Sequence, residues 1–328
     1  MTFPATLSLD YAAAIVHTLR QEMRNNPRVF IYGEGINDAG AYLKSTGGIA
    51  ADFGESRCFD VPNCEDALVG LGIGSALMGY RPVFVSLRVD FLMLAMNQII
   101  NHAARWPAMT GYQVSVPLTI RALIGRGWGQ AAQHSGALYS MFANVPGLEV
   151  VLPSSPAEGA GLLLTAMRSD QTTIFIEERG VFGLAEDVPA EVEPIPFGKA
   201  RIVRPGDDIT FFAASSMTPF AVQVAEQLAS GSGLSAEVVD LRTVRPLDAE
   251  MIREHAAQTG RVAVFDIGWA SFGLSAEVAR IISEASVLNR PLISVHRRDE
   301  HTPSSAFLED GHYPKVDEVA ERVLTQLS

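Results

Sequence analysis

Glu65 stands where an extended segment, Phe59-Asp60-Val61-Pro62-Asn63-Cys64, gives way to an apolar run that reads as a helix. A carboxyl group at such an entry can be withdrawn from water, and desolvation raises its pKa until it holds or shares a proton near neutrality, as acid–base work requires. The position suits an ordinary first-turn acid equally, because the helix dipole would stabilise both Glu65 and Asp66. His134 is the second candidate. It lies between the glycine-rich segment Ile124-Gly125-Arg126-Gly127-Trp128-Gly129-Gln130 and a helix expected to begin near Gly136. From there an imidazole can donate to a developing oxyanion, although a histidine near a helix start is also commonly structural.

Several chemistries lack the residues they need. No GxGxxG follows a strand, and neither GxxxxGK[ST] nor GxSxG occurs, so nicotinamide-dehydrogenase, P-loop and common hydrolase readings are unsupported. The formal net charge of −12 argues against a nucleic-acid surface, and a small molecule or a protein partner is expected instead. The two cysteines, Cys58 and Cys64, are spaced for neither a disulfide scaffold nor a zinc site, and free thiols in a reducing compartment are expected. No window has the roughly 18 uncharged apolar residues of a membrane span, and no basic-then-apolar leader is evident, which points to the cytoplasm.

The elements that would position these residues alternate. Tyr11, Ile15, Leu19 and Met23 form one helical stripe that Asn25-Asn26-Pro27 stops, and Val29–Tyr32 reads as a buried strand. A glycine-rich, tightly packed helix is expected over 66–80, then a strand over 83–87 and a helix over 91–105. Strands at 118–122, 148–152 and 173–177 follow, with a helix at 156–168. After a proline-rich, acidic stretch the rhythm resumes with strands at 209–214, 236–240, 261–265 and 292–295 and helices at 219–229, 249–259 and 274–285. The fold class is therefore α/β, with parallel sheets covered by helices in two doubly wound domains: residues 1–185, a linker at 186–205, and 206–328.

A resemblance gives these residues roles. Phe59–Glu65, Gly79-Tyr80-Arg81-Pro82-Val83, Asp90-Phe91, Gln98-Ile99-Ile100-Asn101 and Ala132-Gln133-His134-Ser135 are together similar to the beta subunits of the E1 components of pyruvate, branched-chain 2-oxo-acid and acetoin dehydrogenases. The similarity runs on in order through Pro146-Gly147-Leu148, Val150-Val151, His301-Thr302-Pro303 and Leu308-Glu309, and collinear matches over both domains are far more specific than any one of them. The resemblance implies a thiamine pyrimidine-binding domain followed by a transketolase C-terminal-type domain. It implies thiamine diphosphate shared with an alpha subunit in an α2β2 heterotetramer, Mg2+ held by that subunit, and a lipoyl-bearing E2 or a carrier protein as a further partner. The family's Gly-Asp-Gly…Asn phosphate-and-metal motif is absent from this chain, which fits that division.

By the same resemblance Glu65 is the acid that bonds the pyrimidine N1′ and makes the cofactor's amino group basic enough to take the C2 proton. His134 matches the active-site histidine, with Gln133 an unassigned neighbour that could meet substrate. Phe91, beside Leu87, would lie against the aminopyrimidine, or be plain core. Glu34 matches an acid lying between paired active sites, and otherwise is a strand-end acid. Two departures bear on substrate: Arg88 and Arg126 flank the expected site, and a substrate carboxylate or phosphate would suit them, as would salt bridges to surface acids or to the alpha subunit. The segment Arg168-Ser169-Asp170-Gln171 departs from the family's monovalent-cation residues and leaves a possible monovalent cation open. The expected activity is decarboxylation of a 2-oxo acid with acyl transfer. The alternatives are a transketolase-like transfer from a ketose phosphate to an aldehyde or carrier, and a non-catalytic scaffold.

Overall fold

The computed structural model describes residues 5–37, 41–125, 129–285 and 287–327. Two compact units are formed, one from the described residues of Met1–Ile124 and Met141–Phe197, the other from those of Gly125–Ser140 and Gly198–Ser328. Among the described residues no helix is long and apolar enough to cross a membrane.

In the first unit the strands lie in the order Leu148–Val151, Thr172–Glu178, Thr119–Ile124, Arg81–Ser86, Val29–Gly33, Cys58–Asp60, all paired in parallel. The central members are buried along their whole length, as strands covered on both faces must be. Side chains alternate between the faces. Val29, Ile31, Val83 and Val85 join the core beneath helices Tyr11–Asn25 and Pro156–Arg168, where Tyr11, Ile15, Leu19 and Met23 are all buried. The intervening Tyr32 points to the opposite face and donates its hydroxyl to the Leu68 carbonyl of helix Glu65–Leu77 at 2.8 Å. Gly72 permits that approach, since a Cβ there would sit 2.4 Å from the Tyr32 hydroxyl and 2.8 Å from Leu118.

The second unit has the parallel order Ile293–Val295, Val262–Phe265, Ile209–Ala213, Ala236–Asp240, closed at the edge by antiparallel Arg201–Arg204. Helices Ala249–Thr259 and Leu274–Ala285 have the bounds expected from periodicity, and Met217–Ser232 extends the one expected at 219–229.

Two segments differ from expectation. The stretch read as one helix over 91–105 is a 3-10 helix at Phe91–Ala95, a π-helix at Asn97–Ala103 and a short α-helix at Trp106–Met109. Buried Leu92, Ala95, Ile99 and Ala103 supply an apolar spacing compatible with all three, and spacing does not reveal which carbonyl each N–H meets. The proline-rich stretch expected as linker 186–205 is built into both units. Strand Ala185–Pro189 pairs with Thr6–Asp10, Gln21 exchanges bonds of 2.9 and 2.8 Å with the Val192 backbone, and Arg201–Arg204 is the edge strand of the second sheet. Prolines suit such edges because they withhold a ladder donor where none is needed.

A fully buried ion pair lies within the first sheet. Arg121 Nε and Nη2 donate to Glu177 Oε2 and Oε1 at 3.0 and 2.9 Å, and Nη2 also reaches Ser45 Oγ at 2.8 Å. Removing one partner leaves an uncompensated charge in the interior, which costs about 3–5 kcal/mol. Arg121→Met should therefore lower the urea midpoint of unfolding sharply, while Arg121→Met combined with Glu177→Leu should recover most of the loss. A double variant no more stable than the single one would contradict this.

Candidate active site

Three adjacent parallel strands end in chemistry-bearing residues. Glu34 follows Val29–Gly33, Asp60 ends Cys58–Asp60 and leads to Glu65, and Leu87 and Arg88 follow Arg81–Ser86. The carboxyl ends of the strands are where α/β sheets bind ligands. Gly33 fixes the local approach: a Cβ there would lie 2.3 Å from the Val85 carbonyl oxygen, so only glycine lets the chain pass. Just beyond it the Glu34 N–H donates to that same oxygen at 3.3 Å, and the Gly35 N–H donates to Asp60 Oδ1 at 2.5 Å.

The acids are closely coupled. Glu34 is only 2% exposed, and neither carboxyl oxygen has a hydrogen-bond partner. Burial pushes its pKa up to about 7, with the charges of Glu65 and Asp60 adding to the effect. Glu65 is the first residue of helix Glu65–Leu77 and is 7% exposed, although Asn63, Cys64, Asp66 and Ala67 around it are exposed. Asp66 accepts a long bond from Gln98 Nε2 at 3.5 Å. The two acids thus separate as their neighbours in sequence could not show: Asp66 behaves as a solvated first-turn residue and Glu65 turns inward. Sequence reasoning alone saw Glu34 as a strand-end acid, and its burial and raised pKa come from the fold. It gave no role to Asp60, whose only signal was its place in the motif before Glu65.

An aminopyrimidine offers ring nitrogens and an amino group, and a buried carboxyl with open oxygens can meet either by sharing a proton. The unbonded Glu34 carboxyl beside Glu65 is such a group, so the acids present fit that half of the cofactor. Half-buried Phe91 and Leu87 lie close by in sequence after the strand end, Phe91 N–H bonding the Arg88 carbonyl at 3.2 Å, and Leu87 also packs on the core. Arg88 is buried and has interactions within the fold, so it is not a waiting cation. Arg126 lies outside the described residues. Among the described residues no group of three or more His, Cys, Asp or Glu could hold a metal ion.

His134 belongs to the second unit. It closes a 3-10 turn, Ala132–His134, entered through Ala131 in the left-handed region at φ 57°. A non-glycine residue there stores of order 1–3 kcal/mol, a cost found mostly where a loop positions functional groups. His134 is half-buried and Gln133 is exposed.

The Glu34 shift has a stability consequence. Its folded pKa of about 7 exceeds the ordinary value of 4.5, so the fold favours the protonated acid. That stabilisation is complete below about 4.5 and is lost as pH rises to about 7. Glu34→Gln, compared with the parent without cofactor, should be similar at the acid end of this window and more stable above it by on the order of 2 kcal/mol. A difference that stays constant across the window in urea melts would refute the assignment.

Comparison with known proteins agrees with this geometry. The family described as Transketolase, pyrimidine binding domain matches residues 8–183, and that described as Transketolase, C-terminal domain matches residues 198–319. The chain is 41% identical to the 2-oxoisovalerate dehydrogenase subunit beta of Bacillus subtilis over 84% of each chain. It is 35% identical to the pyruvate dehydrogenase E1 component subunit beta of Rickettsia conorii, over 97% of this chain and 98% of that one. With the acetoin:2,6-dichlorophenolindophenol oxidoreductase subunit beta of Cupriavidus necator it shares 36% identity over 95% of each. A solved structure, "Split gene transketolase, inactive beta4 tetramer", has the same fold with a TM-score of 0.80 at 21% identity, over 98% of this chain and 99% of its own. The motifs, the two transketolase-type domains and this identity over nearly the full length establish that the chain belongs to the beta-subunit family of the 2-oxo-acid dehydrogenase E1 components.

Proposed function

We propose that this chain is the beta subunit of a heteromeric enzyme that decarboxylates a 2-oxo acid with thiamine diphosphate and passes the acyl group to an acceptor, a lipoyl-bearing E2 being the natural one. The observation that carries the reading is the buried acid group at the strand ends, Glu34 with both oxygens unbonded and Glu65 turned inward beside it, in a domain of the pyrimidine-binding type. When bound, thiamine diphosphate supplies a nucleophilic carbon and an electron sink for loss of CO2. Glu65 would share a proton with the pyrimidine N1′. Glu34, poised to be half-protonated near neutrality, can give or take a proton without a large energetic step. Leu87 and Phe91 would wall the ring from water, and His134 would meet the charge that develops on substrate oxygen or receive the acceptor.

The same reading assigns the diphosphate and Mg2+ to an alpha-type partner in an α2β2 assembly in the cytoplasm. Support for a partner comes from apolar side chains left in water. Leu71 and Met78 on helix Glu65–Leu77 and its C-cap are exposed, as are Leu94, Met109 and Tyr112 on the neighbouring segment, and exposed apolar groups gathered in this way mark association surfaces. The monovalent cation stays an open part of the reading; at residues 167–170 Arg81 donates to the Met167 and Ser169 carbonyls at 3.4 and 2.8 Å and to Asp170 at 2.6 Å.

In the enzyme reconstituted with its alpha-type partner, Glu65→Gln should slow exchange of the cofactor's C2 proton by roughly 10²–10⁴-fold, the usual contribution of a positioned acid–base group, while leaving assembly intact. Exchange at the parental rate, followed by NMR after mixing with heavy water, would remove Glu65 from this role.

A further inference from the structure

The second unit buries a cation that makes no ion pair among the described residues. Arg297, two residues beyond strand Ile293–Val295, is 2% exposed. One edge of its guanidinium is used: Nη1 donates to the Ser135 carbonyl at 2.6 Å. Its face is covered by the Trp269 ring, with Cζ 3.9 Å from the ring centroid. The remaining edge, Nε and Nη2, is buried and has no partner. Arg297 makes no ion pair with a carboxylate among the described residues. Asp266 is committed to the Tyr139 hydroxyl and to the Gly268 and Ser275 N–H groups at 2.8 and 3.1 Å, and Glu237 is paired with His255 at 2.9 Å. Asp299 and Glu300 are exposed.

Other polar atoms of the second unit are buried and equally without partners. Ser135 Oγ belongs to the residue whose carbonyl Arg297 holds, and it has no partner. His312 lies alongside, its carbonyl accepting from the Arg298 N–H at 3.1 Å, and its Nε2 is unbonded. Thr302 Oγ1, two residues after the Glu300 carbonyl that receives Trp269 Nε1 at 3.3 Å, is unbonded as well. A desolvated guanidinium without a counter-ion is costly, and so is a buried hydroxyl left unpaired, so the open Nε–Nη2 edge beside Ser135 favours an acceptor group. The chain itself shows what fits. In Arg121 the same two nitrogens, Nε and Nη2, grip the two oxygens of Glu177 at 3.0 and 2.9 Å. Arg297 presents that fork with nothing in it, in the geometry that planar or tetrahedral oxyanions match.

We propose that Arg297, with the Ser135 hydroxyl beside it, forms a binding site for a small oxyanion, a carboxylate or phosphate group gripped through Nε and Nη2. The site follows from the second unit alone and does not rest on the proposed catalytic function. The occupant's acid group comes either from free phosphate or from an organic acid, and the two are separable by titration.

Inorganic phosphate and pyruvate, titrated separately by calorimetry into the full chain, should show saturable binding of at least one of them. Binding of phosphate alone identifies the free ion, and binding of pyruvate in competition with phosphate identifies an acid-group pocket. Arg297→Gln should weaken that binding at least tenfold, and Arg297→Lys, which keeps the charge but not the fork, should recover only part of it. Should Arg297→Gln fail to fold, Ser135→Ala removes only a hydroxyl and should weaken binding several-fold. Absence of saturable binding in the parent, or equal binding in the parent and the folded variants, overturns the site.

Discussion

A carboxyl group buried without a hydrogen bond is the constraint around which the first unit is arranged. Glu34 can stay buried only because the packing beneath it is far more favourable than its own desolvation is costly. The parallel strands are buried on both faces, and the helices Tyr11–Asn25 and Pro156–Arg168 seal the side opposite helix Glu65–Leu77. Gly33 brings the strand end against Val85, and Gly72 lets the helix that begins at Glu65 seat on Tyr32. A Cβ would strike the Val85 backbone at Gly33 and the Tyr32 and Leu118 side chains at Gly72, so Glu34 is placed by close approach of chain to sheet and not by bonds to its own side chain. A group held this way keeps its oxygens for a ligand.

Much of this was legible in the sequence because it is local. The stripe Tyr11, Ile15, Leu19, Met23 repeats at helical spacing, and those residues are buried where it says they should be. The βα alternation and the two-domain α/β class follow from similar short-range patterns, and Glu65 stood out because an acid precedes an apolar helix. What stayed hidden depends on residues far apart in the chain. The upward shift at Glu34 arises from burial and from charges at positions 60 and 65, which are adjacent only after the strands pair. The Arg121–Glu177 pair joins residues 56 apart, and Arg297 meets Ser135 across 162. The π-helix at Asn97–Ala103 was invisible for a different reason, since its apolar spacing is shared with an ordinary helix.

Three arginines show how one side chain serves three ends. Arg81 holds the carbonyls at the end of helix Pro156–Arg168 and pairs with exposed Asp170, a contact of modest strength. Arg121 is fully buried, with its charge matched by Glu177. Arg297 is equally buried and only partly bonded, which makes its surroundings incomplete in the way that Glu34 makes the strand ends incomplete. In each unit, therefore, one buried charge-bearing group without a full set of partners is a place where a ligand could supply them.

The central claim is that the acids at the strand ends serve thiamine-dependent decarboxylation of a 2-oxo acid. Its most direct test is substrate consumption together with CO2 release by the chain reconstituted with its alpha-type partner, thiamine diphosphate and Mg2+, with pyruvate, a branched-chain 2-oxo acid and a ketose phosphate offered in parallel. The account predicts release from at least one 2-oxo acid, only when both subunits and the cofactor are present. An assembled pair that binds no cofactor, or that turns over the ketose phosphate and neither oxo acid, would contradict it.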